Sequence, residues 1–485
     1  MSFKFGEKKE GRSNRPLVCV QGLGFVGLAM ATVIANACDN NKIPVYNVVG
    51  IDLPMNKNNI DIINRGELPF KTEDTSFLDE LRRAVFINEN FFATSDVSFY
   101  SQADIVVVDV PLHIKKRSKN DYSKYSLSKK PFEKAIDSLG EKIKTECLVL
   151  IETTVPPGFC SKVVKPILEK NFKSRNIVSS PTIAYSYERV MPGKEYLGSI
   201  RNYYRTFSGI DEKSAQKVKS FLESIINFKD YPLRREQATE SCELAKILEN
   251  SYRAVNIAFI YEWTLLAENI GINLFSVIEG IKNRKTHNNI MEPGFGVGGY
   301  CLTKDSLLAL WSADNFYNSV YGLPFSKMAL EVNDKMPLHT IDLILQETSV
   351  KDKKVAIMGI SYRQDVGDTR FSPSELFYKE LIKLRGICFV HDPYVEYWPE
   401  CQEAPFISFD HSLKNVDIIV FTVRHRCYIE ATKEYLLEIS KEGALFVDAF
   451  NILDDEKISF LLKHNRNVIG VGKGHIKRIK ETIKC

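Results

Sequence analysis

Neither sign of charge is in excess in this sequence: 65 Lys and Arg stand against 61 Asp and Glu in 485 residues, a net of +4. So even a balance gives no composition-level reason to expect a nucleic-acid or membrane-surface protein, and neither partner is expected. Cys-x-x-Cys pairs are missing too. The ten cysteines stand singly, from Cys19 to Cys485, which argues against a zinc ribbon and for reduced thiols in the cytoplasm. No metal site is expected. With 44% hydrophobic and 26% charged residues, disorder is excluded as the main state, and a chain this long can bury its cores without disulfides. The most apolar stretch, 17–38, follows a basic head ending at Arg15, and Ala35-Asn36-Ala37 imitates a signal-peptide cleavage site. Gly22, Gly24 and Gly27 interrupt it, however, just after Leu17-Val18-Cys19-Val20. A membrane or signal helix would suffer from that cluster, whereas a strand–turn–helix requires it. Residues 1–15 are polar and read as a loose arm.

What is present reads as α/β. In the first third, short apolar runs at 17–20, 45–51, 105–110, 147–151 and 176–179 alternate with helical patterns at 26–36, 77–84, 131–143 and 160–170. This implies a parallel sheet covered by helices. Residues 112–130, rich in Lys and Ser, read as a solvated surface loop. From Arg235 to about Gly280 the pattern is that of a long apolar helix, with almost no breaker before Gly271, suited to a buried spine or an oligomer face. The glycine-dense loop Gly294-Phe-Gly-Val-Gly-Gly299 follows. A second α/β unit then reads as strands at 354–360, 387–391, 417–422 and 444–447, with a helix at 374–385. The expected fold is two Rossmann-like parallel-sheet domains, 1–230 and 346–485, joined by a central helical domain, 231–345, with a long spine helix.

The glycines have separable tasks. Gly22 permits a tight turn, Gly24 admits a pyrophosphate close to the backbone, and Gly27 lets helix and strand pack closely. The helix start adds free N–H groups and a positive dipole end. Asp52 ends the next strand, somewhat beyond the usual ~20 residues, and a carboxylate there favours NAD over NADP. The cofactor candidates are Gly22, Gly24, Phe25, Val26, Gly27, Asp52, Pro111 and Thr154. The competing reading is a packing turn in a domain for another nucleotide.

Lys246, Asn250 and Arg253 fall at i, i+4 and i+7, on one helix face, with Asn256 a further turn along. By itself this is also the stripe of an amphipathic helix. The glycine loop delivers Cys301, with Asp305 four residues later. Backbone N–H groups, a helix start and Lys246 would each lower a thiol pKa there, although an inert cysteine fits equally. Glu152-Thr-Thr-Val-Pro-Pro-Gly158 places hydroxyls at a strand end, and Tyr187-Glu188-Arg189-Val-Met-Pro-Gly193 places a carboxylate after another.

In order along the chain, these motifs resemble the nucleotide-sugar 6-dehydrogenases, the family of UDP-glucose and UDP-N-acetylhexosamine dehydrogenases. Ser361-Tyr-Arg363-Gln-Asp-Val-Gly-Asp-Thr-Arg370, His391-Asp-Pro-Tyr-Val395 and Asp448-Ala-Phe-Asn451 extend the likeness, which runs from about Leu17 to Gly472. The resemblance implies NAD-dependent, four-electron oxidation of a UDP-sugar C6 alcohol to a carboxylate. Cys301 matches the nucleophile that forms a thiohemiacetal and then a thioester. Lys246 and Asn250 match the oxyanion-stabilising pair, and Asp305 with Thr154 the acid–base and water-ordering groups. Glu188 matches the carboxylate assisting thioester hydrolysis. Arg253 and Arg363 are placed to meet the substrate's anionic groups; Arg189, Asn256, Gly296 and Gly298 join them as substrate candidates, and Arg370 falls near a domain junction as a cofactor candidate. A homodimer through the central helix and a role in surface-polysaccharide synthesis are also implied.

Some positions depart from common family patterns. Tyr300 stands where the N-acetylmannosamine enzymes usually have His, Tyr187 replaces a usual proline, and Thr303-Lys304-Asp305 looks like the UDP-glucose branch. The Glu188-Arg189 segment and Arg253 favour an N-acetylated UDP-hexosamine, with UDP-glucose the alternative. A two-electron hydroxyacid dehydrogenase would not need Cys301 or a second Rossmann-like half, and a catalytically dead nucleotide-binding protein would not keep Cys301, Lys246, Asn250 and Asp305 together.

Overall fold

The structure, a computed structural model, describes residues 15–118, 121–191, 193–319 and 322–484. The expected arm lies outside them except for Arg15, as do Pro192 and Cys485. The chain forms two compact units. One takes the residues up to Lys115 with Tyr125–Leu248 and Leu307–Gly322; the other takes Lys116–Lys124, Glu249–Ser306 and Leu323–Cys485.

The first unit has strands β1 (Leu17–Gln21), β2 (Asn47–Ile51), β3 (Phe91–Thr94), β4 (Ile105–Val108), β7 (Leu148–Ile151), β8 (Thr182–Tyr185), β9 (Thr206–Gly209) and β10 (Arg234–Arg235) in one sheet. Their order is β10-β9-β8-β7-β4-β1-β2-β3. Pairing is parallel from β3 across to β8, and only β8 and β9 run antiparallel. In β1, Val18, Cys19 and Val20 are all fully buried, as a strand covered on both faces requires. The order reverses between β1 and β4, and ligands of such sheets bind outside the strand ends at that point.

Two expectations need correction here. Residues 176–179 are not a strand: Asn176 has φ +59°, Val178 is fully exposed, and pairing begins only after Pro181, at β8. The stretch read as a surface loop holds a two-stranded sheet, β5 (His113–Ser118) and β6 (Asp121–Ser128). Its apolar minority explains this. Ile114, Tyr125 and Leu127 pack against buried residues, and the Tyr125 hydroxyl donates to Asp314 at 2.6 Å.

In the second unit, β11 (Lys354–Met358), β12 (Ile387–His391), β13 (Ile418–Phe421), β14 (Leu445–Asp448) and β15 (Asn467–Gly470) form an all-parallel sheet ordered β12-β11-β13-β14-β15. The expected strands are there, and β15 is an addition that four residues with two large apolar side chains did not signal. The protein is thus α/β with two Rossmann-like parallel sheets and a long helix, Thr239–Ile270. That helix is shorter than its pattern suggested. Arg234–Arg235 pairs as β10, and Gly271 at φ +80° ends the helix before a separate one begins at Leu274. Among the described residues, no helix is long and apolar enough to cross a membrane.

Candidate functional site

The fingerprint folds as a strand, a turn and a helix. Gly22 leaves β1 at φ +95°, and its N–H donates to Ile51 O at 2.8 Å. A Cβ on Gly27 would lie 1.8 Å from Gly22 O, so only glycine lets the helix Phe25–Ala35 start this close to the turn. A Cβ on Gly24 would meet nothing within 4 Å, and no side chain caps the helix there. That open space and those uncapped N–H groups are what a pyrophosphate needs. Asp52, at the end of β2, accepts from Leu23 N at 3.1 Å and from Asn56 Nδ2 at 2.8 Å. In the second unit, Asp392 does the same after β12, accepting from Ile360 and Ser361 N at 2.9 Å. The residues therefore fit NAD in the first unit. Phe25 stacks on Phe70 and its carbonyl accepts from Tyr196 Oη, Val26 is half-buried, and Pro111 is exposed just past β4.

The contrast between two glycines is testable. Gly27→Ala should destabilise the fold by ~1–3 kcal/mol through overpacking, read as a lowered Tm. Gly24→Ala should leave Tm unchanged and raise KM for NAD+ on the order of tenfold by crowding the phosphates. Equal effects on Tm would contradict this assignment.

Beside the turn, β4, β7 and β8 lead to Asp109, Glu152 and Glu188. Arg205 is buried and donates to Glu152 through Nη2, to Ser186 O at 3.1 Å and, through Nε, to Ser186 Oγ at 3.1 Å. Asp109 Oδ2 and Glu152 Oε2 are out of solvent with no hydrogen-bond partner among the described residues. Burial, reinforced by Glu152 and Glu188, holds the Asp109 carboxyl well above the usual carboxylate range. Burial likewise pushes Glu152 up to about 7, against the pull of Arg205. The native chain therefore keeps a proton on Asp109 above the pH at which the unfolded chain loses it. On this account stability falls as pH rises from about 4 through that window, and Asn, which cannot ionise, removes that part of the slope. The Tm advantage of Asp109→Asn over the parent should therefore be larger at pH 8 than at pH 5. A pH-independent difference would refute it.

Glu188 and Lys246 form a mostly buried pair: Nζ lies 3.3 Å from Glu188 Oε1 and 3.2 Å from its carbonyl oxygen. Glu188 Oε2 accepts from Val190 N at 2.5 Å. The ring of Tyr187 lies 5.5 Å from Lys246 Nζ and 4.8 Å from the Arg189 guanidinium, so the tyrosine occupies the proline's place as a cation-facing wall. Thr154 is half-buried in the loop after β7, whose start is tied down by Thr153 Oγ1 donating to Val108 and Val110 carbonyls.

In the second unit, Asn250 Nδ2 donates to Asp305 Oδ2 at 2.6 Å, and Lys304 Nζ lies 3.0 Å from Asp305 Oδ1. Asp305 is 1% exposed, yet an amide and an ammonium satisfy its carboxylate. Cys301 is exposed; its carbonyl accepts from Asp305 N at 3.0 Å, which places the two one turn apart. The helix itself begins at Asp305, so Cys301 stands in the turn before it rather than in its first turn. A Cβ on Gly298 would lie 2.3 Å from Phe371 O, and Gly296 has φ +108°. Arg370 donates through Nε and Nη2 to Asp368, at 2.9 and 2.6 Å, while Arg253 and Arg363 are exposed. Asn256 donates its amide to Tyr252 O at 2.8 Å, within its own helix. The structure thus pairs Glu188 with Lys246 and Asn250 with Asp305. Asp109, Arg205 and Glu243 escaped the sequence reading; Arg205 sits in no motif.

The UDP-glucose/GDP-mannose dehydrogenase family matches this chain in three parts: its NAD binding domain at residues 16–226, its central domain at 240–335 and its UDP binding domain at 356–455. The chain belongs to that family and is an NAD-dependent dehydrogenase. A UDP-N-acetyl-D-mannosamine dehydrogenase of Methanocaldococcus jannaschii is 30% identical over 93% of this chain and 95% of its own. The solved NDP-N-acetyl-D-galactosaminuronic acid dehydrogenase of Methanosarcina mazei is 25% identical, with a TM-score of 0.78 over 96% of each chain. The UDP-D-ManNAc dehydrogenase of Pyrococcus horikoshii has the same identity and TM-score, over 95% of this chain and 100% of its own.

Proposed function

We propose that this protein oxidises the C6 alcohol of a UDP-N-acetylhexosamine to the uronic acid. The balance is R–CH2OH + 2 NAD+ + H2O → R–COO− + 2 NADH + 3 H+. NAD+ held at the Gly22–Gly27 turn would supply the hydride acceptor for each oxidation. Asp305, held by Asn250 and Lys304, and Thr154 handle protons and water. Cys301 attacks the aldehyde, and loss of the second hydride from the thiohemiacetal leaves a thioester. Lys246 and Asn250 stabilise the oxyanion, and Glu188 assists the hydrolysis that frees the acid. Arg189, Arg253, Asn256, Gly296, Gly298 and Arg363 are assigned to the substrate; Gly22, Gly24, Phe25, Val26, Gly27, Asp52, Pro111 and Arg370 to the cofactor. The Asn250–Asp305 contact beside the Cys301 turn carries this reading, because it supplies nucleophile, donor and acid–base group together. The N-acetylmannosamine relative at 30% identity supports the N-acetylhexosamine. Thr303-Lys304-Asp305 favours UDP-glucose as the second reading. The test follows NADH absorbance with a panel of UDP-sugars, starting with UDP-N-acetyl-D-mannosamine. Two NADH per acid are expected; one NADH with free aldehyde, or no turnover of any UDP-sugar, would overturn the proposal.

We also propose three domains at 1–230, 231–345 and 346–485, close to the three family matches, and a cytoplasmic enzyme. Leu244, Leu248, Tyr252, Phe259, Trp263, Leu266 and Ile270 are each about half exposed on the long helix, which supports a homodimer through it. A monomeric mass at micromolar concentration would refute the dimer.

A further inference from the structure

We propose that Glu243 is a positioning residue: its carboxylate ties the loop carrying Thr154 to the helix carrying Lys246. This rests on the reading above, in which Thr154 and Lys246 both serve the oxidation. Glu243 is fully buried, one turn before Lys246 on the helix Thr239–Ile270. Its Oε2 accepts from Gly158 N at 2.5 Å and its Oε1 from Cys160 N at 2.9 Å. Those N–H groups open the helical segment that runs as a π turn over Cys160–Val164 and on through Lys165–Ser174. Such groups have no partner inside their own helix, and here the acceptor comes from 83 to 85 residues away.

Neighbouring contacts make the attachment rigid. Ser161 Oγ donates to Glu240 Oε1 at 2.6 Å, and Ser312 Oγ donates to Pro157 O at 2.5 Å. Gly158 has φ +87°, and the Tyr317 hydroxyl lies 2.5 Å from where its Cβ would be. Thr154 therefore stands between two anchors, the Thr153 hydroxyl on the carbonyls of Val108 and Val110 and the Glu243 carboxylate on Gly158 and Cys160. Burial pushes Glu243 up to about 7, so keeping an acid here is costly, and two backbone donors offset that cost. A bulky apolar residue could fill the same space but could not accept both N–H groups.

The test is a cycle of four proteins: the parent, Glu243→Gln, Thr154→Ala and the double variant. Gln offers one acceptor oxygen and turns a donor toward the other N–H. Glu243→Gln should lower kcat on the order of 10- to 100-fold, as expected for a small misplacement of a reacting group, with KM for NAD+ little changed. The double variant should be no slower than Thr154→Ala by more than about twofold, because both changes act through one group. Amide exchange at Gly158 and Cys160 should quicken in Glu243→Gln while the Tm stays within the parent's folded range. Unchanged kcat in Glu243→Gln, or losses that multiply in the double variant, would overturn the proposal while leaving Thr154's role intact. Full activity in Thr154→Ala would overturn the proposal together with the assigned role of Thr154, and so tells the two failures apart. Glu243→Asp, one methylene too short to reach both donors, runs the same cycle if the Gln variant does not fold.

Discussion

Replacing Cys301 by Ser should stop sugar-acid formation, with a fall in net turnover on the order of 10³-fold or more. The second oxidation needs a tetrahedral carbon that still carries a hydride. A thiolate forms one by adding to the aldehyde, and at neutral pH a serine hydroxyl, far less ionised than a thiol, does so far more slowly. The turn that presents Cys301 would survive the change, because its carbonyl, not its side chain, accepts from Lys304 and Asp305 N. The loss would therefore be chemical rather than a failure to fold. The readouts are NADH per sugar and trapping of the aldehyde. Cys301→Ser protein that forms two NADH per sugar at the parent's rate would refute the thioester route.

Lys246→Met carries the second large expectation. The Lys246 ammonium lies 3.2–3.3 Å from two oxygens of Glu188, and both side chains are mostly buried. Methionine keeps much of the stem's volume but removes the charge. Two effects follow. On the role proposed for Lys246, the developing oxyanion would lose a cationic donor, a deficit of the kind that costs 10²–10³-fold in kcat, about 2.7–4 kcal/mol. Glu188 is also left without its cation in a largely dry site, and a broken buried pair costs about 3–5 kcal/mol of stability. Lys246→Met with Glu188→Gln removes the orphaned charge and should recover most of the lost Tm but none of the lost kcat. Recovery of activity along with Tm would make Lys246 a structural partner only.

The parts of the fold and the site that could be read from the sequence were those set by local geometry. Gly22, Gly24 and Gly27 announce a backbone need, and the structure meets it with a positive φ and a 1.8 Å approach that excludes a side chain. The four-residue spacing of Lys246 and Asn250 is a property of any helix. Elements whose cause is distant could not be read. The strands β3, β9 and β15 (Phe91–Thr94, Thr206–Gly209 and Asn467–Gly470) lack the unbroken run of branched apolar residues that marks β4 and β7, and their strand state comes from pairing with neighbours distant in sequence. Residues 176–179 have strand-like composition, yet Asn176 at positive φ turns the chain before Pro181. Glu243 binds N–H groups 83 to 85 residues away, and Arg205 binds Glu152 at a separation of 53; no local pattern encodes either.

The helix Thr239–Ile270 also limits where motion can occur. It contains 32 residues and neither glycine nor proline, so it has no natural hinge. Each of its turns rises about 5.4 Å, a spacing that an unbroken helix keeps constant. Bending is easier where the backbone is more pliant. The glycine loop ahead of Cys301 offers such backbone, with Gly296 and Gly299 already at positive φ. Stiffness and pliancy thus fall on different segments of the sequence, the first on the helix and the second on the loop that delivers Cys301.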